Sequence, residues 1–183
     1  MNEHIVQGLK AVDLETMADV DLAALTSLKV SKEQQEFGGT FPGSVEDWKR
    51  RSGSNTYGLA FFVEGQTPAG IVLLKRPPDS PDWTPPKAIS LHGLKIAKAL
   101  QGRGLGRSAL QLSIEGAQAR WPDATKLILA VDAGNVAALT LYQRFGMSDS
   151  GPIFKGRVGF EHRLELSLPT KAQAAVNGLG SSK

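Results

Sequence analysis

Three groups of residues in this chain have types and spacings suited to chemistry. The first is Gln101-Gly102-Arg103-Gly104-Leu105-Gly106, with glycine at alternate positions where a strand pattern gives way to a helix pattern. Backbone without Cβ atoms can approach an anion closely, and the first turn of a helix offers N–H groups that lack intrahelical partners. The helix dipole adds positive potential there, and Lys95, Lys98, Arg103 and Arg107 surround the loop with no acid between positions 95 and 107. The chemistry indicated is binding of a phosphate or pyrophosphate, although a turn that merely requires glycine fits the same letters. Two other phosphate motifs fail: a dinucleotide G-x-G-x-x-G would need glycine where Arg107 stands, and no G-x-x-x-x-G-K-[ST] run occurs.

The second group is Asn135 and Tyr142, seven residues and about two helical turns apart, so that both can face one cleft. Asn135 also suits an N-cap, and Tyr142 a core tyrosine bonded to the backbone. The third is His92, whose ordinary pKa near 6.5 suits proton removal, while one histidine in a strand is more often structural than catalytic.

These groups need a scaffold, and the periodicity supplies one. His4 to Val12 reads as a first strand, and Asp13 as the cap of a helix with Leu14, Ala18, Leu22, Leu25 and Leu28 at helical spacing. Ser31-Lys32-Glu33-Gln34 is a capping box, and Ser44-Val45-Glu46-Asp47 a second helix start. Thr56 to Val63 and Ala69 to Lys75 form a hairpin about Glu64-Gly65-Gln66-Thr67. A proline-rich loop leads to a strand over Ala88 to Ile96 and a long helix from Leu105 that Trp121-Pro122-Asp123 stops. A strand over Lys126 to Val131, a helix from Asn135 to Gly146 and a last strand over Phe160 to Leu168 complete an α/β domain. One domain over 1–168 with a flexible tail over 169–183 is the expected organisation.

Gln101 to Gly106 matches the Q/R-x-x-G-x-G/A signature of the GCN5-related N-acetyltransferase (GNAT) superfamily, and Asn135-Val136-Ala137-Ala138-Leu139-Thr140-Leu141-Tyr142-Gln143-Arg144-Phe145-Gly146-Met147 resembles its second signature. The resemblance is sharp over 88–147. It implies a mixed, mostly antiparallel seven-stranded sheet with about four helices, whose fourth and fifth strands splay to admit acetyl-CoA. It implies that Gln101, Gly102, Arg103, Gly104, Leu105, Gly106 and Arg107 hold the pyrophosphate, that Leu94, Lys95 and Ile96 run beside the pantetheine arm, and that Asn135 and Ala138 touch the cofactor. Tyr142 would touch it too and protonate the leaving sulfur. Many members place a glutamate near Ser90, which this chain lacks; His92 shares that strand face and is the candidate base, with a water wire as its rival. Acceptor residues implied by position are Phe37, Phe41, Trp48, Phe154 and Arg157 together with His92, although each aromatic could simply cover the sheet and Arg157 could be a solvated charge. Met147 departs from the usual residue after Phe-Gly, a packing change.

Composition narrows the rest. A net charge of +3 without a long basic stripe argues against nucleic acid as the main partner, and no apolar run is long enough for a signal peptide or a membrane span. A cytoplasmic protein is expected, acting alone or as a homodimer. The absence of cysteine removes thiolate metal sites and a thioester on the enzyme, and no metal is expected. The leading expectation is an N-acetyltransferase acting by direct attack on the primary amine of a small metabolite, amino acid, antibiotic or toxin. Acetylation of a protein N-terminus or lysine and a non-catalytic CoA-binding domain are the alternatives.

Overall fold

The computed structural model describes residues 5–169 apart from 7, 52, 65 and 153. The expectation of a flexible tail therefore falls, from residue 170 onward, outside the described residues, as do His4 of the first strand and Gly65 of the hairpin turn.

The first strand is divided in two, β1 (Ile5–Val6) and β2 (Leu9–Asp13), by Gly8 in the left-handed region at φ +78°. Asp13 does act as a cap, but its carboxylate accepts from the Glu15 N–H at 2.8 Å over a 3-10 turn, Leu14–Thr16, instead of opening the expected helix. That turn drives Leu14 into the core, and α1 (Asp19–Thr26) starts afresh with Asp19 and Asp21 at its positive end. α2 (Lys32–Gly38) carries the expected Ser31–Gln34 capping box. α3 (Phe41–Arg51) begins three residues before the expected Ser44: Pro42 lies in its first turn, where its missing N–H is harmless, and Thr40 Oγ1 accepts from the Gly43 N–H at 3.1 Å.

β3 (Thr56–Val63), β4 (Thr67–Lys75) and β5 (Ala88–Ile96) run antiparallel to one another; α4 (Leu105–Arg120) then crosses over to β6 (Lys126–Asp132), the parallel neighbour of β5. α5 (Val136–Phe145) ends at Gly146, left-handed at φ +101°, and β7 (Ser148–Asp149), β8 (Phe154–Lys155) and β9 (Phe160–Ser167) follow. The sheet order is β1-β2-β3-β4-β5-β6-β9-β7, with β8 also on β9. Among the described residues nine strands stand where seven were expected, and three of the nine are two-residue pieces at the margins.

Each face of the sheet buries its own core. Leu59, Phe61, Leu74, Leu91 and Leu127 meet α4 and α5 on one side; Ala60, Ile71 and Leu73 meet Leu25, Phe41 and Val45 of α1 and α3 on the other. Among the described residues no helix is long and apolar enough to cross a membrane.

Candidate functional site

The pairing of β5 with β6 covers only Ala88 to Ser90 against Lys126 to Ile128. Beyond Ser90 the strands part, and β5 is further displaced by a bulge: Leu73 faces His92, but Ile71 faces Lys95, so Val72 opposes both Gly93 and Leu94. Gly93 adopts φ +58°, a conformation that favours glycine. The extra residue resets the alternation, leaving His92 and Lys95 on one face of the strand.

A cleft of about 480 Å³ fills the parting, lined by Leu94, Lys95 and Ile96 of β5, Gln101 to Arg107 except Arg103, and Asn135, Ala138 and Tyr142 of α5. Gly102 and Gly104 are both left-handed, at φ +77° and +76°, and no atom lies within 4 Å of where their Cβ atoms would stand. Glycine is thus required there by the left-handed backbone path and not by crowding. Gln101 spends its side chain inside the protein, donating from Nε2 to Ile96 O and to Gln34 Oε1, both at 2.8 Å. Arg107 lies over the Phe145 ring at 5.0 Å at the rim, whereas Arg103 is exposed outside the lining. A glycine cradle, a helix start and an arginine together suit a pyrophosphate.

Asn135 caps α5, its Oδ1 accepting from the Ala138 N–H at 3.3 Å. Tyr142 is 6% exposed, and burial pushes its phenol well above the usual range, so the hydroxyl keeps its proton at any working pH. It projects where the cleft meets a second, smaller pocket, whose lining also holds Glu36, Phe37, Asp132, Arg157 and Glu161.

Local pattern gave no sign of this acidic lining. Asp132 ends β6, at the carboxyl end of a parallel strand where α/β proteins gather ligands, and that position was the one available signal. Its Oδ1 accepts from the Gly134 N–H at 2.8 Å, while Oδ2 is buried without a hydrogen-bond partner among the described residues. Arg157 reaches from the β8–β9 turn to donate to Glu36 O, tying that turn to the end of α2.

Other expected acceptor residues fall elsewhere. Trp48 packs against Leu14 and Gly58 in the core beneath α3, and Phe41 is fully buried there. Phe154 lies 3.6 Å from the Arg163 guanidinium, which Trp83 covers from 4.2 Å. His92 lines a third cavity with Thr40, Ser44 and Asp47. Its Nε2 is 2.7 Å from Ser90 Oγ, and its pKa is lowered to about 4, first by burial and then by the Lys75 ammonium. Lys75 pairs with Asp47 at 2.6 Å.

The family model described as Acetyltransferase (GNAT) family matches residues 14–147. A probable spermine N(1)-acetyltransferase of Bacillus subtilis subsp. natto is 26% identical over 143 residues, covering 78% of this chain and 91% of that protein. Among solved structures, the spermidine N-acetyltransferase of Vibrio cholerae in complex with CoA and spermine superposes with a TM-score of 0.68 at 15% identity, over 93% of this chain and 99% of that one. An aminoglycoside acetyltransferase, AAC(6')-Ib, in complex with coenzyme A gives 0.68 at 18% identity, over 87% and 94%.

Proposed function

The chain belongs to the GNAT family of acetyltransferases, and from that premise we propose that it transfers the acetyl group of acetyl-CoA to a primary amine of a small aliphatic polyamine, by direct attack within a ternary complex. The observation that carries this reading is the meeting, at Tyr142, of a glycine-cradled cleft with a pocket bearing Glu36, Asp132 and Glu161. Acetyl-CoA supplies the activated acyl group. Gly102 to Gly106 and Arg107 fit its pyrophosphate, and Leu94 to Ile96 offer strand backbone to its pantetheine arm. The acids suit an acceptor carrying a second positive charge, as the relatives named for spermine and spermidine would require.

Within this frame the chain's own groups divide the work. The carboxylates draw in the cationic acceptor and hold its distant end, and burial of Asp132 Oδ2 without a partner favours an incoming ammonium over water. Tyr142 delivers a proton to the departing sulfur. With no cysteine, no acetyl-enzyme on sulfur can form. The attacking amine loses its proton to bulk solvent and reacts as the neutral fraction present at working pH.

The test is thiol release from acetyl-CoA with spermidine, spermine and, as a singly charged control, propylamine. Polyamines are expected to exceed propylamine by at least roughly tenfold in kcat/KM. Tyr142→Phe should lower kcat about a hundredfold while leaving the acetyl-CoA KM within a few-fold. Unchanged turnover in that variant would remove Tyr142 from the chemistry, and absence of thiol release with every amine would remove the activity itself.

A further inference from the structure

We propose that Lys95 is an acetylation site of the enzyme itself: when donor is bound and no acceptor is present, the acetyl group passes to Lys95 Nζ. This rests on the donor reading above.

The β5 bulge sets Lys95 apart from an ordinary strand lysine. It is 8% exposed, and its Nζ lies over the bulge, 3.2 Å from where a Cβ on Gly93 would stand, with its Cε 3.9 Å from the same position on Gly38. Gly38 lines the long cleft, the acidic pocket and the third cavity, and Gly93 lines the last two. The amine therefore sits beside glycines that border all three spaces, and Lys95 itself lines the donor cleft.

Its partners are neutral. Nζ donates to Ser44 Oγ at 2.5 Å and to Thr40 O at 3.5 Å, and lies 5.9 Å from the Phe41 ring centroid. Lys75 on the adjacent strand shows the usual arrangement for a buried ammonium, with Asp47 at 2.6 Å. Among the described residues no carboxylate pairs with Lys95. Burial without a counter-ion pushes its pKa down to about 8, so about one Lys95 in ten is neutral at pH 7. For a free lysine the neutral fraction is about one in 2,500. A buried, uncompensated cation weakens the fold, and such groups persist where chemistry uses them.

The step balances without another reactant. The Nζ lone pair attacks the acetyl carbonyl carbon, the N–C bond forms, and the C–S bond breaks with its electrons leaving on sulfur. One Nζ proton ends on that sulfur, giving acetyl-lysine at position 95 and free CoA thiol. The product replaces a buried cation by a neutral amide and places an acyl group in the lining of the donor cleft, so modified enzyme should bind acetyl-CoA less tightly.

The full chain, freed of acetyl groups with a lysine deacetylase, is incubated with acetyl-CoA and no amine, then digested and read by mass spectrometry. Binding of acetyl-CoA is measured in parallel by calorimetry, and a second sample receives acetyl phosphate, a donor with no nucleotide to dock. The expected result is one acetyl group per chain at Lys95, appearing at least roughly ten times faster than at the exposed Lys49 or Lys98. It should be suppressed by excess CoA, absent in Lys95→Arg, and absent with acetyl phosphate. Lys95 left unmodified while the enzyme acetylates spermidine overturns this proposal and leaves the donor reading standing. Acetyl-CoA that neither binds nor is consumed overturns both. Labelling of Lys95 no faster than Lys49 and Lys98 makes it ordinary surface chemistry and also overturns the proposal.

Discussion

Proton inventory at single residues separates roles that the sequence left merged. His92 shared a strand face with Ser90 in the sequence, which made it a base candidate, and the face is the same in the fold. Its surroundings argue against that role. Ser90 Oγ lies 3.2 Å from Lys75 O and 2.7 Å from His92 Nε2, so the imidazole is engaged with a neutral hydroxyl and has no carboxylate on that nitrogen to raise its basicity. With a pKa near 4, His92 is neutral throughout the working range and lies about six units below a lysine-like ammonium, roughly 8 kcal/mol uphill for direct proton transfer. Replacing His92 by Gln is therefore expected to leave the pH dependence of kcat/KM between pH 6 and 9 unmoved in midpoint. Loss of an ionisation near neutrality in the variant would restore His92 as the base. Stability gives the same histidine a signature of opposite kind. Its folded pKa lies below the ordinary 6.5, so between pH 4 and 6.5 the unfolded chain binds the extra proton and stability falls as pH falls. That decline should be shallower in His92→Gln.

At the level of elements, α2 does more than its seven residues suggest. Gln34 ties it to Gln101 in the glycine loop, Glu36 receives Arg157 from the β8–β9 turn, and Gly38 borders all three cavities. A helix this short has little propensity of its own and depends on its ends. The Ser31–Gln34 capping box satisfies two of its N-terminal donors. Ser31→Ala is expected to cost about 1 kcal/mol in urea unfolding and to raise the KM for the amine more than it lowers kcat, because the acidic pocket loses its α2 wall. Equal KM values in variant and parent would show that α2 does not shape that pocket. The capping box, the hairpin, the glycine loop and the Asn135–Gly146 helix were all legible in the sequence because each is encoded within a few neighbouring residues. The break between Leu14 and α1 was not, since burial of Leu14 in the second core overrides a continuous helical pattern. Nor was the β5 bulge, which exists only as a register against β4. Glu36, Asp132 and Glu161 lie in three distant segments with no shared periodicity, so tertiary closure alone makes them neighbours. Trp48 and Phe41 show the converse: aromatic residues near a candidate site were claimed by the core.

For the molecule as a whole, the site is a defect built into an otherwise continuous sheet. β5 and β6 exchange three pairs of residues and then separate, yet the larger core runs unbroken from Leu9 of β2 through Leu91 and Ile96 of β5 to Leu127 and Leu129 of β6 and Leu164 of β9, with α4 packed along it. The two parts of the sheet share that core and cannot lose it separately. Thermal unfolding should accordingly be one cooperative transition, detected together by far-UV circular dichroism and by tryptophan fluorescence. A ligand wedged into the parting touches β5, the loop before α4 and α5 at once, so it stabilises the whole unit. At a CoA concentration a hundred times its Kd the gain is about 2.7 kcal/mol, which for a chain of this length raises Tm by roughly 5–10 °C. Two resolved transitions, or a CoA-dependent shift confined to one probe, would mean that the strands on either side of the parting fold as separate units and that the cleft is a flexible seam. A single transition that moves as a whole identifies it as a rigid slot, with the loop from Gln101 to Gly106 held at its entrance before any ligand arrives.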